Sequence, residues 1–263
     1  MTTFDLNADL GEGVSGDPGQ GPEALDDLLL QRVTSANVAC GGHAGDDASM
    51  ARVCRVAVER GVAIGAQVSY VDRAGFGRTR LDVERETLVQ QLLAQLEALR
   101  SHALDAGGRV AYLKPHGALY NAAATDADVA GTVVDALLAD GSRTGTTLPV
   151  LSLPGSVLAL QAAARGITVV AEAFADRAYS ADGRLVPRSH PGAVIDDEAT
   201  VVARVVRLAT SGVVTSIDGV DVRVDARSVC LHSDTSGAAR TVGVVRTALE
   251  SAGVHVATFV ELP

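Results

Sequence analysis

Short apolar runs and longer amphipathic stretches alternate along this chain. Thr3–Asn7, Asn37–Cys40, Ala63–Val68, Val110–Lys114, Val150–Leu153, Thr168–Phe174, Ser228–His232 and His255–Val260 are brief and rich in apolar or β-branched residues, and read as strands. Helical patterning covers Glu23–Ser35, Asp46–Arg60, Asp82–Asp105, Asp126–Ala139, Gly155–Arg165, Asp196–Thr210 and Ser236–Ala252. Asp46 and Asp126 stand where N-caps belong, and Gly61, Gly107, Gly166 and Gly253 stand where helices end. Strand–helix alternation predicts a parallel sheet, and seven or eight such units fit a closed barrel better than a short open sheet. The expected architecture is therefore α/β, one β/α (TIM-like) barrel domain over residues 1–263. Asp140–Pro149 reads as a surface loop, and Ile217–Val224, alternating around Gly219, as a small β insertion.

Composition narrows this picture. Of 263 residues 47% are apolar, yet Trp is absent and aromatics are 3%, so the core must be built from Ala, Val and Leu. A net charge of −10 argues against nucleic acid or an anionic membrane as partner. The three cysteines, Cys40, Cys54 and Cys230, lack CxxC spacing, so no disulfide framework is expected. The start, MTTFDLNADLGEG, has neither the basic nor the apolar region of a signal peptide. No apolar run approaches the ~20 residues of a membrane span. A cytoplasmic location is the expectation.

The polar residues gather where the strands end. The fourth strand breaks abruptly at Lys114-Pro115-His116-Gly117, with Tyr120 and Asn121 just beyond. The first runs into Asn7, Asp9, Gly11 and Glu12, and the second into Cys40-Gly41-Gly42-His43-Ala44-Gly45-Asp46. The third runs into Gln67, Ser69, Tyr70 and Asp72, then Gly75-Phe76-Gly77-Arg78. The sixth leads to Glu172, Phe174, Asp176, Arg177 and Tyr179, and the seventh to His232, Ser233, Asp234 and Thr235. In a parallel barrel these positions share the C-terminal rim, the usual active-site face. Of six histidines, His43, His116 and His232 fall at strand ends and His190 in a loop.

Each type suits a role. Asp9 and Glu12 suit a general base or metal ligand, the alternative being a turn and a helix cap. His43 and His116 suit proton transfer or metal binding; the alternative is donation to a backbone carbonyl. Lys114 or Arg177 would hold a carboxylate or phosphate, or else form a salt bridge to Asp9, Glu172 or Asp176. Asp9, His43 and His116 would be the ligands of any metal. The glycine-rich turn at residues 41–45 would offer N–H groups to an anion. Cys40 reads as a small buried residue. There is no GxxxxGK[ST], and no GxGxxG after a strand, so the chain carries no recognisable nucleotide-binding loop.

DLNADLGEG, ANVACGGHAGD, LKPHGALYN, EAFADRAYSADGRLVPR and VCLHSDT together resemble the signature blocks of the LamB/YcsF family, in order from Asp5 to Thr235. The resemblance implies a seven-stranded β/α barrel of the glycoside hydrolase and deacetylase type. It implies the ATP-dependent hydrolysis of a cyclic amide, 5-oxo-L-proline, to L-glutamate, with ATP (and Mg) as co-substrate and with B and C partner subunits. The site it implies comprises Asp9, Glu12, His43 and His116 as catalytic residues. Asn7, Lys114, Tyr120, Asp176, Arg177 and His232 would bind substrate. The chain departs from the family pattern at Gly42 (usually Phe), Asp47 (usually Pro), Gln67 (usually His) and Ser233 (usually Gly). Gln is a poor ligand for a transition metal. The alternative expectations are a metal-dependent amide or carbohydrate deacetylase and a non-catalytic binding or regulatory subunit.

Overall fold

The computed structural model describes residues 3–15, 21–232 and 237–262. Its strands are β1 (Thr3–Leu10), β2 (Ser35–Ala39), β3 (Ala63–Val68), β4 (Val110–Pro115), β5 (Val150–Ser152), β6 (Val169–Phe174), β7 (Val213–Thr215), β8 (Asp221–Arg223), β9 (Ser228–Leu231) and β10 (His255–Val256). Its helices are α1 (Pro22–Leu29), α2 (Asp47–Arg60), α3 (Arg85–Asp105), α4 (Gly117–Thr125), α5 (Ala127–Thr144), α6 (Val157–Ala164), α7 (Glu198–Ser211) and α8 (Ala238–Ser251). β1 to β6 and β9 pair in parallel in that order, and β1 pairs again with β9, which closes a seven-stranded barrel. Among the described residues no helix is long and apolar enough to cross a membrane.

The two-residue period of each strand sorts its side chains between two environments. From β1, Phe4, Leu6, Ala8 and Leu10 join the large apolar core under the helices. Asp5, Asn7 and Asp9 alternate with them and face the lumen, where Asn7 reaches Glu172 of β6 and all three contact Ser228 or Cys230 of the adjacent β9. On the outside, Leu92, Leu96 and Leu99 of α3 repeat at helical spacing and are fully buried. Each contributes about 1.5–3 kcal/mol by its burial. The lower lumen is apolar: Ala63, Tyr112, Leu151 and Val170 form a cluster with Phe259 and Val260, so the segment after β10 closes the N-terminal end. Gly65 makes this possible, because a Cβ there would lie 2.1 Å from the Tyr112 ring.

Several expected elements are redrawn. The eighth candidate strand shrinks to His255–Val256 and pairs with β1 outside the ring. Helix Glu23–Ser35 ends at Leu29, because Ser35 already belongs to β2, in register with Asn7 of β1. Asp140–Thr144 is not loop but the last turn of α5, held by the Arg100 guanidinium on the buried Asp140 carboxylate at 2.8 Å. The residues after the Lys114 break form α4, which no sequence signal announced. The expected β insertion is the hairpin of β7 and β8.

Candidate active site at the barrel mouth

The middle and upper lumen is a polar lattice. Lys114 Nζ sits 2.7 Å from Glu172 Oε1, 3.3 Å from Asn7 Oδ1 and 3.6 Å from Asp9 Oδ1. Asn37 Nδ2 donates to Asn7 Oδ1 at 2.6 Å and to Asp9 Oδ1 at 2.9 Å, and Tyr112 Oη donates to Asn37 Oδ1 at 2.8 Å. Asn7 Nδ2 donates to Glu172 and Ser228. Burial raises the Asp9 carboxyl, but Lys114, His232 and His116 outweigh it and hold the group well below its usual range. Burial opposes the Lys114 ammonium, yet its acidic neighbours raise its pKa well above normal. Lys114 is thus a buried counter-ion, the alternative role foreseen for it.

Above this lattice lies a histidine cluster. Ser69 Oγ lies 2.9 Å from Tyr70 O and 3.1 Å from His43 Nδ1. His43 Nε2 faces Glu12 Oε1 at 3.2 Å. A carboxylate oxygen only accepts, so His43 Nε2–H is the donor of this contact. His116 Nε2 donates to Phe76 O at 3.1 Å, leaving Nδ1 to accept from Gln67 Nε2 at 3.0 Å. The second Gln67 N–H goes to Glu12 Oε1 at 3.1 Å. Burial, before any charge, lowers the pKa of both His43 and His116 to about 4, so each imidazole is neutral at pH 7.

Local chain geometry holds this cluster together. Phe76 is the one described non-glycine residue with positive φ, at 54°, and its ring stands edge-on to both imidazoles. Strain of this kind persists where the surroundings over-determine it. Gly77 must be glycine: its φ is 62° and a Cβ would lie 2.8 Å from His43 Cβ. Gln95 of α3 clamps Ser69 by both backbone groups, at 2.9 Å each. A Cβ on Gly42 would come within 2.3 Å of Ser69 Oγ and 2.5 Å of Gln95 Oε1, which accounts for the absence of a larger residue there.

A third group faces these from β6 and β9. His232 Nδ1 lies 2.8 Å from Asp176 Oδ2, and its ring stacks on Phe174 at 5.4 Å. Burial opposes the charged form of His232, but Asp176 more than offsets it and raises the pKa. Tyr120 Oη and Glu172 Oε2 are buried without a hydrogen-bond partner among the described residues.

The structure does not bring every expected residue to the mouth's centre. Arg177 donates to Val186 O and Ala193 O and so stitches its own loop. His190 is exposed and bonds Pro191 O. Asp46 caps α2 in a reciprocal box with Ser49, so the first turn of that helix is not open to an anion as the glycine-rich turn suggested. Cys40 is buried and donates to Gln67 O. Ser233, Asp234 and Thr235 lie outside the described residues. Sequence reasoning missed Asp5, Asn37, Gln95 and Ser228. Recurrence of polar residues every second position in otherwise apolar strands was the available signal for all but Gln95.

Among the described residues, neither group of potential ligands is arranged well for a metal. Asp9 groups with Cys230 and His232, while His43 and His116 group with Glu12, so the expected Asp9–His43–His116 set is not assembled. In the first group Lys114 already neutralises Asp9, and burial holds the Cys230 thiol well above its ordinary pKa. In the second the imidazole planes are 7° from parallel with centroids 3.7 Å apart, so their in-plane lone pairs do not converge.

Comparison with known proteins places this geometry. The LamB/YcsF family pattern matches residues 4–263. The chain is 54% identical over 256 residues to the 5-oxoprolinase A subunit of Streptomyces coelicolor, covering 97% of this chain and 99% of that one. It is 49% identical over 260 residues to the 5-oxoprolinase A subunit of Mycobacterium avium, covering 98% and 100%. A solved lactam utilization protein from Thermus thermophilus matches with a TM-score of 0.87 at 37% identity, covering 98% of this chain and all of that one.

Proposed function

This chain belongs to the LamB/YcsF family, and we propose that it is the A subunit of a 5-oxoprolinase, acting on 5-oxo-L-proline at the C-terminal mouth of its barrel. The overall reaction is 5-oxo-L-proline + ATP + 2 H2O → L-glutamate + ADP + phosphate. The observation that carries this reading is the Glu12–His43 pair, a carboxylate 3.2 Å from His43 Nε2 beside an apolar wall. Such a pair can take a proton from water and return it to the amide nitrogen, a contribution of ~10²–10⁴-fold.

The other residues divide accordingly. His116, neutral and fixed as an acceptor at Nδ1, orients Gln67 and through it Glu12. His232, whose pKa Asp176 raises against the effect of burial, meets the substrate carboxylate, and Tyr120 Oη donates to a substrate oxygen. Asp9, Asn7 and Lys114 set the field beneath the reacting carbonyl. Arg177 shapes the loop that frames the mouth. The chain has no phosphate-binding loop of its own. In this reading ATP with Mg is therefore bound by the B and C partners, and phosphorylation of the amide oxygen makes it a leaving group.

The test is glutamate formation from 5-oxoproline and ATP by this chain mixed with its B and C partners. Glu12→Gln and His43→Ala should each lower turnover by at least ~10²-fold. Full activity in both variants, or glutamate formation without this chain, refutes the proposal.

A further inference from the structure

Gln67 is fully buried at the centre of the histidine cluster. Both Nε2 hydrogens are engaged, by Glu12 Oε1 at 3.1 Å and His116 Nδ1 at 3.0 Å. Its Oε1 has no hydrogen-bond partner among the described residues. The two ends of the amide cannot be exchanged. A carboxylate oxygen accepts, and His116 has already given its Nε2–H to Phe76 O, so a flipped amide would set Oε1 against two acceptors. A buried acceptor left unpaired is costly, and native structures hold few of them, so each calls for a missing donor.

We propose that Gln67 Oε1 receives the N–H of the cyclic amide substrate, making Gln67 the residue that distinguishes a lactam from a ring without nitrogen. This rests on the lactam reading above. The donor is a neutral N–H: the Lys114 ammonium and the His232 ring already face Glu172, Asp9 and Asp176. A lactam N–H is adjacent to its carbonyl in the ring, so the side chain that reads the nitrogen also fixes where the reacting carbon lies. The same side chain holds Glu12, which ties recognition of the substrate to placement of the base. A neutral imidazole, with one donor and one acceptor, could not make these three contacts; a primary amide makes all three.

The experiment compares 5-oxoproline with 3-oxocyclopentane-1-carboxylate, in which CH2 replaces the N–H, as ligands of the assembled complex. The wild-type complex should bind the lactam about 10- to 100-fold more tightly. Gln67→Met, which removes the acceptor at similar volume, should bring that ratio close to one while binding of the carbocycle changes little. Gln67→Glu sets a carboxylate against Glu12 Oε1 and His116 Nδ1 and should lose turnover. A Gln67→Met complex that still prefers the lactam by the wild-type ratio overturns the inference. A wild-type complex that binds neither compound refutes the lactam reading itself, a result distinct from either variant's.

Discussion

His43 and His116 stack face to face, with centroids 3.7 Å apart and planes 7° from parallel. A transition metal sits in the plane of each imidazole that binds it, about 2.0–2.1 Å from the nitrogen. Two nearly parallel planes offer no such shared point. Protein purified without chelators should therefore carry far less than one equivalent of zinc or manganese by mass spectrometry. Added Zn²⁺ or Mn²⁺ should leave its melting temperature unchanged. One tightly bound metal per chain would show that the stack opens in solution.

Lys114 is 3% exposed and faces two carboxylates. Removing one partner of a buried ion pair strands the other charge, which costs about 3–5 kcal/mol. Lys114→Met should lower unfolding free energy by that amount in urea titrations. Adding Glu172→Gln should restore a large part, since it removes the nearest stranded charge. A Lys114→Met variant as stable as wild type would mean that the lattice is hydrated.

The barrel and its rim were legible because strand ends coincide with breaks from apolar to polar residues, as at Lys114-Pro115-His116-Gly117. Glu12, His43 and His116 were found in this way and do cluster. The interior lattice was not legible. Asn37 or Ser228 reads as one polar residue in an apolar strand, and only ring closure shows that it points inward toward Asn7. Gln95 lies on a helix 26 residues from Ser69, so nothing local marks the clamp. α4 was missed for a related reason: its N-cap is His116, whose side chain makes no capping bond because it is committed to the site.

Two opposed pairs act on stability between pH 6.5 and 4. Burial lowers His43 and His116 to about 4, so in this range the unfolded chain takes up protons there that the folded one does not. That pair destabilises the fold as pH falls. Burial raises Asp5 and Asp26 to about 6, so below pH 6 the folded chain takes up protons that the unfolded one does not. This second pair stabilises the fold as pH falls. The shifts are similar in size, so these two pairs largely offset each other across the window. Asp5→Asn deletes one compensating group, so its urea midpoint should drop on acidification from pH 6.5 to 4 more steeply than that of wild type. Parallel slopes would show that Asp5 does not titrate there.

Gly65 and Tyr112 are paired residues of β3 and β4, and the phenol ring occupies the space where a residue-65 side chain would point. A Cβ at 2.1 Å cannot be absorbed by rotation, because the ring is also packed on Phe259 at 5.1 Å and its Oη is bound to Asn37. Gly65→Ala should therefore destabilise by about 1–3 kcal/mol or more, as overpacking does. Tyr112→Phe in the same chain should give no relief, since the ring remains. Tyr112→Leu should relieve part of the clash and lose the Asn37 contact, so the double variant should be more stable than Gly65→Ala alone yet weaker than wild type. Because Asn37 also donates to Asp9 at 2.9 Å, the ring's displacement should reach the mouth: Gly65→Ala protein that remains folded should turn over more slowly. Wild-type stability and activity in Gly65→Ala would mean that β3 and β4 separate at their bulge to admit the methyl group.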